Sequence, residues 1–213
     1  MIRIIKDKAP EFWTNFFRHN KNVRHYDDLE KSDNGKEVRQ KIRFHMISQQ
    51  KYICCYCCGI IDEDNSHNEH IKPRDKKPEL SLEYDNMIVS CNSSGQCGKA
   101  KDKFYSENDF ISPLDEDVEE QFRYSTSGEI IGVNEKAKKT IEILGLNSYK
   151  MNESRKAVYD NCVNMVKCGA RDWIVEEYIN EKDGRLPRYV GMVKYFYDNH
   201  YFDEDVIMYV LHI

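Results

Sequence analysis

Six of the eight cysteines fall at positions 54, 55, 57, 58, 91 and 97. Cys54-x-x-Cys57 forms a knuckle that offers two thiolates to a tetrahedral metal, and Cys91 with Cys97 supplies a second pair. Residues 58–90, which separate the pairs, make a longer insert than a simple zinc ribbon needs. The metal therefore staples a segment that has work of its own. Cys55 and Cys58 also stand in C-x-x-C spacing, so the knuckle has two registers. Inside the insert runs His67-Asn68-Glu69-His70-Ile71-Lys72-Pro73. Glu69 and His70 are an adjacent acid–base pair. Strand neighbours point to opposite faces, so the carboxylate can hold a metal while the imidazole faces a substrate water. Asn86 lies just ahead of Cys91, in LEYDNMIVSC.

These residues sit in a chain of 213 with 40% hydrophobic and 12% aromatic residues, enough to bury a core and too many for a disordered chain. No run approaches the roughly 18 apolar residues of a membrane span. The start, MIRIIKDKAPEFW, lacks the apolar stretch of a signal peptide. Clustered cysteines in such a chain read as a metal site in a reducing cytoplasm rather than as a disulfide scaffold. The formal net charge of -5 argues against holding nucleic acid by bulk charge. The charge is uneven, however. Residues 1–53 carry 12 bases against 7 acids, and residues 104–124 carry 7 acids against 1 base. HIKPRDKK (70–77) sets further positive charge beside the candidate site.

The elements that must position the site follow from periodicity. Residues 2–5 (IRII) read as a short strand, and Pro10 as a helix start. Val38, Ile42 and Met46 predict a helix over 36–50, with Lys36, Arg39, Lys41 and Arg43 at its other positions. Ser127-Gly128 between two β-prone runs predicts a hairpin over 121–133. Beyond about residue 134 the chain reads helical: 135–146, ending at Gly145 as a C-cap, then about 150–167, 171–181 and 188–199.

CCYC (54–57), NEHIKP (68–73), DN (85–86) and SCNSSGQCGKAK (90–101) resemble the HNH endonuclease family, whose site is a ββα-metal finger. The resemblance implies that His70 is the general base, Glu69 a ligand of a catalytic Mg²⁺ or Mn²⁺, and Asn86 the residue that orients the imidazole. It also implies that Cys54, Cys57, Cys91 and Cys97 hold a structural Zn²⁺, with the Tyr before the second Cys setting the register. One position departs from the pattern. The family's last metal ligand directly follows the last cysteine, and here that residue is Gly98; Asn92 or Asp102 stands as a substitute. His67 is open to a phosphate or metal role or to structural support. Lys72, Arg74, Lys76, Lys77 and Lys101 are the expected nucleic-acid contacts.

The order of motifs, with F-x-Y-x-x-x-G-x-I over 122–130 and T-I-x-x-L-x-L-N over 140–147, is similar to PtuB-type proteins, the HNH subunits of the Septu antiphage system, which also occurs with some retrons. That similarity implies a PtuA-type ATPase as a separate chain. No GxxxxGK[ST] P-loop is present here. A homodimer is a further expectation.

The fold expected is α+β, with an N-terminal arm (1–51), a zinc-stapled nuclease core (52–112) and a hairpin with a helical C-terminal region (113–213). The function expected is endonucleolytic hydrolysis of nucleic acid, DNA foremost. Two rival readings are a zinc-stabilised binding or adaptor module that has lost cleavage, which Gly98 favours, and a thiol redox protein using CCYCC.

Overall fold

The computed structural model describes residues 1–102, 104 and 106–211. Residues 1–10 form no regular element. Instead of pairing as a strand, Ile4 donates its N–H to Pro113 O at 2.8 Å. Helix α1 (Glu11–His19) starts after Pro10 and buries Trp13. A 3₁₀ segment, Tyr26–Lys31, leads into α2 (Gly35–Gln49), which buries Val38, Ile42, Met46 and Ile47 at helical spacing. The residue that follows α2, Gln50, is buried and docks the helix end onto the next sheet. Its side chain accepts from Val89 N–H at 2.7 Å and donates to Val89 O at 2.9 Å, replacing a missing strand neighbour.

Strands β1 (Ser66–His70) and β2 (Met87–Cys91) pair antiparallel, with His67 opposite Ser90 and Glu69 opposite Ile88. A one-turn helix, α3 (Gly98–Lys101), follows Cys97. The hairpin forms as expected, from β3 (Phe122–Tyr124) and β4 (Ile130–Gly132). Helix α4 (Glu135–Ile143) is capped by Asn134, whose side chain accepts from Ala137 N–H at 2.8 Å. The chain turns out of α4 at Gly145, where φ is +57°, a backbone region open to glycine at no steric cost.

Helices α5 (Tyr149–Lys167), α6 (Asp172–Tyr178) and α7 (Val190–Asp198) match the periodic segments. An eighth helix, α8 (Glu204–Leu211), adds to those expected. The described residues thus form an α+β fold with two small sheets. One contiguous apolar cluster runs from Met1 and Trp13 through Met46, Tyr56 and Val89 to Phe196 and Ile207. Among the described residues no helix is long and apolar enough to cross a membrane.

Candidate active site and thiol cluster

The turn after α2 folds Cys54 to Cys58 under β2. Cys55 N–H donates to Val89 O, and Cys58 N–H returns to Cys54 O at 3.0 Å, closing a tight knuckle. Cys58 takes a left-handed φ of 57°. That geometry turns Cys54 and Cys57 toward Cys91, at the end of β2, and toward Cys97, just before α3. Their four Sγ atoms lie within 4.8 Å of one another, and all four residues are buried. Cys54 Sγ accepts from Cys91 N–H at 3.3 Å, and Cys57 Sγ accepts from Gly59 N–H at 3.4 Å. Burial opposes charge on Cys54, but hydrogen bonds from the surrounding thiols outweigh it and hold its pKa well below the ordinary thiol value. Four sulfurs at this spacing, with N–H donors aimed at two of them, fit a tetrahedral thiophilic dication. Cys55 and Cys58 are buried outside the quartet.

Beside the quartet, β1 sorts its side chains to two faces. His67 and Glu69 share one face, and Asn68 and His70 share the other. Glu69 is 7% exposed. Its Oε1 accepts from Lys101 Nζ at 2.8 Å and from Tyr56 OH at 3.1 Å. Its Oε2 lies 3.5 Å from His67 Nε2. Burial raises the Glu69 pKa, and the His67 and Lys101 interactions more than reverse this, leaving the carboxyl below its usual range.

On the opposite face, His70 Nε2 lies 2.9 Å from Ser81 O. A carbonyl only accepts, so Nε2 carries the proton and Nδ1 keeps its lone pair. The Tyr26 ring stands edge-on to the imidazole, with centroids 4.8 Å apart. Burial holds the His70 pKa down at about 4, so the ring stays neutral near pH 7. Asn86 fixes the loop that holds His70. Its Nδ2 donates to Lys72 O and to Leu80 O at 3.1 Å, and its Oδ1 accepts from Lys72 N–H at 2.8 Å.

Both faces meet at the strand edge in a cavity of about 250 Å³. His67, Glu69, His70, Arg74, Gly98 and Asp102 are among the residues that line it. Gly98 matters by what it lacks. A Cβ there would sit 2.7 Å from Glu69 Oε2 and 2.7 Å from His67 Nε2, so any side chain would fill the space these two atoms face. This carboxylate, held at Oε1 by Lys101 and turned toward the cavity at Oε2, fits a divalent cation.

Of the residues expected from sequence, His67, Glu69, His70, Arg74 and Asp102 line the cavity, and Asn86 holds the loop beside it. Asn92 does not line it: its Oδ1 faces His67 Nδ1 at 2.9 Å. Lys101, expected on nucleic acid, is 1% exposed and points inward to Glu69 Oε1 and to His70 O. Lys72 pairs with Glu107, and exposed Lys76 and Lys77 line neither this cavity nor its neighbour.

That neighbour, about 570 Å³, shares His67, Asn68, Arg74 and Lys99 with the first cavity and extends along Lys36, Arg39 and Arg43 of α2. Arg39 and Arg74 stack on Tyr26, 5.1 and 5.2 Å from its centroid, and pair with Glu30 and Asp27 respectively. The burial of Val38, Ile42 and Met46 turns this basic face outward. Its juxtaposition with β1 is a tertiary fact that periodicity does not carry. Ser81 carries no signal of its own, and Tyr56, which marks the knuckle register, gives no sign of its hydrogen bond to Glu69.

Comparison with known proteins adds an independent line. No protein-family model matches the chain. A Vibrio cholerae serotype O1 biovar El Tor protein, described as "Retron Vc95 putative HNH endonuclease", is 30% identical over 145 residues, which is 61% of this chain and 69% of that protein. On that relationship, and with an α+β fold and a buried four-cysteine cluster that could hold a metal, the chain belongs to the HNH endonuclease family.

Proposed function

We propose that the protein is a metal-dependent endonuclease that hydrolyses phosphodiester bonds of DNA, with β1, β2 and α3 as its ββα-metal core. The observation that carries this reading is the pair of polar groups at one strand edge. A neutral imidazole with its Nδ1 lone pair free stands beside a carboxylate whose Oε2 is free of the Lys101 interaction. His70 Nδ1 takes the proton of the attacking water as its oxygen bonds to phosphorus, and the bond to the leaving sugar oxygen breaks. Ser81 O fixes the ring through Nε2–H, and Asn86 holds the loop that presents Ser81. A divalent cation at Glu69 supplies positive charge for the phosphate and the leaving oxygen. Cys54, Cys57, Cys91 and Cys97 hold Zn²⁺ as a closed structural site. The basic face of α2, with Arg74 and Lys99, leads the phosphate backbone to the cavity.

Two features support work within an antiphage complex. The motif order is similar to PtuB-type subunits, and the Vibrio cholerae relative is a retron protein by its description. The ATPase is a separate PtuA-type chain. The test is cleavage of plasmid and of RNA in Mg²⁺ or Mn²⁺, with and without a co-purified ATPase, for wild type and His70→Ala. Metal-dependent DNA cutting that vanishes in His70→Ala is the expected result. Cutting by His70→Ala within tenfold of wild type removes His70 as the base.

A further inference from the structure

Glu69 Oε2 and His67 Nε2 face each other at the cavity wall, 3.5 Å apart. The Asn92 amide donates its Nδ2 to Ser66 O at 3.1 Å, which turns its Oδ1 toward His67 Nδ1 at 2.9 Å. An amide oxygen only accepts, so His67 carries its proton on Nδ1. Nε2 is then a lone pair aimed at a carboxylate oxygen 3.5 Å away. In the neutral imidazole, two electron-rich atoms in this relation are satisfied by a cation between them, and the rival, a proton on Nε2, is separated by the test below. Two ligands at about 2.1 Å from one ion lie roughly 3–3.5 Å apart, and both atoms converge on the space that a side chain at position 98 would occupy. An imidazole whose second nitrogen is locked by a hydrogen-bond acceptor is the usual form of a metal-binding histidine.

We propose that His67 is the second protein ligand of the divalent cation at Glu69, with Asn92 as the residue that positions its ring. The proposal rests on the nuclease reading only for the use of the metal. It moves the ligand from the helix side of the site to β1, and it explains the glycine at position 98 as room for the imidazole and the ion. It also sets metal preference. One imidazole nitrogen beside one carboxylate oxygen suits Mn²⁺, Co²⁺ or Ni²⁺, whereas Mg²⁺ favours oxygen donors.

The test uses the full zinc-loaded chain and Mn²⁺ as probe. Affinity is read by calorimetry, and ligation by the ¹⁴N modulation that a bound histidine imposes on the Mn²⁺ spin-echo signal. Wild type is expected to show the ¹⁴N modulation and to bind Mn²⁺ at least tenfold more tightly than Mg²⁺. His67→Ala is expected to lose the modulation and to bring the two affinities within about threefold, with zinc content and circular dichroism unchanged. Asn92→Ala keeps the modulation but binds Mn²⁺ about 10-fold more weakly, the effect of losing an outer-shell partner. Gly98→Ala, whose methyl intrudes on both donors, weakens Mn²⁺ binding with the zinc quartet intact. Modulation that survives in His67→Ala, modulation absent from wild type, or a wild type that binds no Mn²⁺ overturns the proposal. A His67 that merely forms an ion pair with Glu69 gives unchanged or tighter Mn²⁺ binding in His67→Ala, which also overturns it. Cleavage assays separate the two questions. Metal-dependent cutting without ¹⁴N modulation leaves the nuclease reading standing and His67 out, and the expected spectra without any cutting do the reverse.

Discussion

The thiol quartet and the cavity at Gly98 lie side by side, the first taking Cys91 from β2 and Cys97 from just before α3 and the second its donors from β1, yet they solve opposite problems. The quartet gathers four like donors, all buried, with backbone N–H groups aimed at the sulfurs. Every position around a tetrahedral ion is filled, so such a site can hold structure but cannot take a substrate. The cavity gathers unlike groups: one carboxylate oxygen, one imidazole on each face of the strand, a buried lysine and a residue with no side chain. On the proposed reading its ligand set is short, which would leave positions for water and phosphate. The difference shows that closure and number of donors, more than metal affinity, separate a staple from a reaction site.

Breaking the staple should have the largest effect. Structural zinc contributes about 10–16 kcal/mol to folding in small domains, so Cys57→Ser is expected to give insoluble or zinc-free protein. Cys55→Ser, outside the quartet, should keep about one zinc per chain. Metal analysis and circular dichroism of the two variants check this, and the opposite pattern would place the knuckle in the other register. The reaction site should respond differently. His70→Ala is expected to cut ~10²–10⁴-fold more slowly while retaining zinc and secondary structure, which combined cleavage and metal assays will show.

Between these lies Lys101. Its ammonium is buried against Glu69 Oε1 and His70 O, with the Phe110 ring 5.8 Å from Nζ. Lys101→Met leaves a buried carboxylate without its cation, a loss of about 3–5 kcal/mol that a lowered midpoint in chemical denaturation would register. If the melt is unchanged, the lysine is not what neutralises Glu69. The smallest effect belongs to the basic face of α2. Arg43→Gln should weaken binding of catalytically inactive protein to DNA by a similar factor for all sequences and lower the slope of log K against log salt by about 1. An unchanged slope would remove Arg43 from the backbone path.

Short cysteine spacing is a local signal that makes a thiol cluster legible, but it leaves two registers, and only the family resemblance singles out Cys54, Cys57, Cys91 and Cys97. The adjacency of Glu69 and His70, which both line the cavity, is local as well, while the roles proposed for them come from the resemblance; α2, the hairpin and most C-terminal helices are legible from apolar periods that are local too. What stayed hidden depends on packing. Lys101 looks like a surface base in CGKAK, and only the docking of α3 on β1 turns it inward. Asn92 looks like a ligand because it follows a cysteine, whereas the β1–β2 register places it against His67 Nδ1. The expected strand at residues 2–5 has the right residue types but meets Pro113 in a loop rather than another strand. Helix α8 carries acids in its first turn, Glu204 and Asp205, a local start cue outside the periodic segments. The place of Arg39 and Arg43 beside the cavity depends on which way the outward face of α2 points.

The residue that closes the quartet is anchored from far along the chain. Cys97 N–H donates to Leu144 O at 2.8 Å, and Gly145 packs its backbone against Gly95 O. Ile111 N–H is held in the same way by Thr140 Oγ1 at 2.9 Å. A fragment ending at residue 112 would keep all four cysteines, Glu69 and His70, yet strand two backbone donors that the second half of the chain now satisfies. The chemistry is therefore not a portable cassette. Transplanting the 52–112 stretch into another protein must carry the α4 turn with it or rebuild its carbonyl and hydroxyl, and recombination in nature faces the same constraint. A graft that ignores them starts with a loosened last ligand beside the glycine on which the cavity depends.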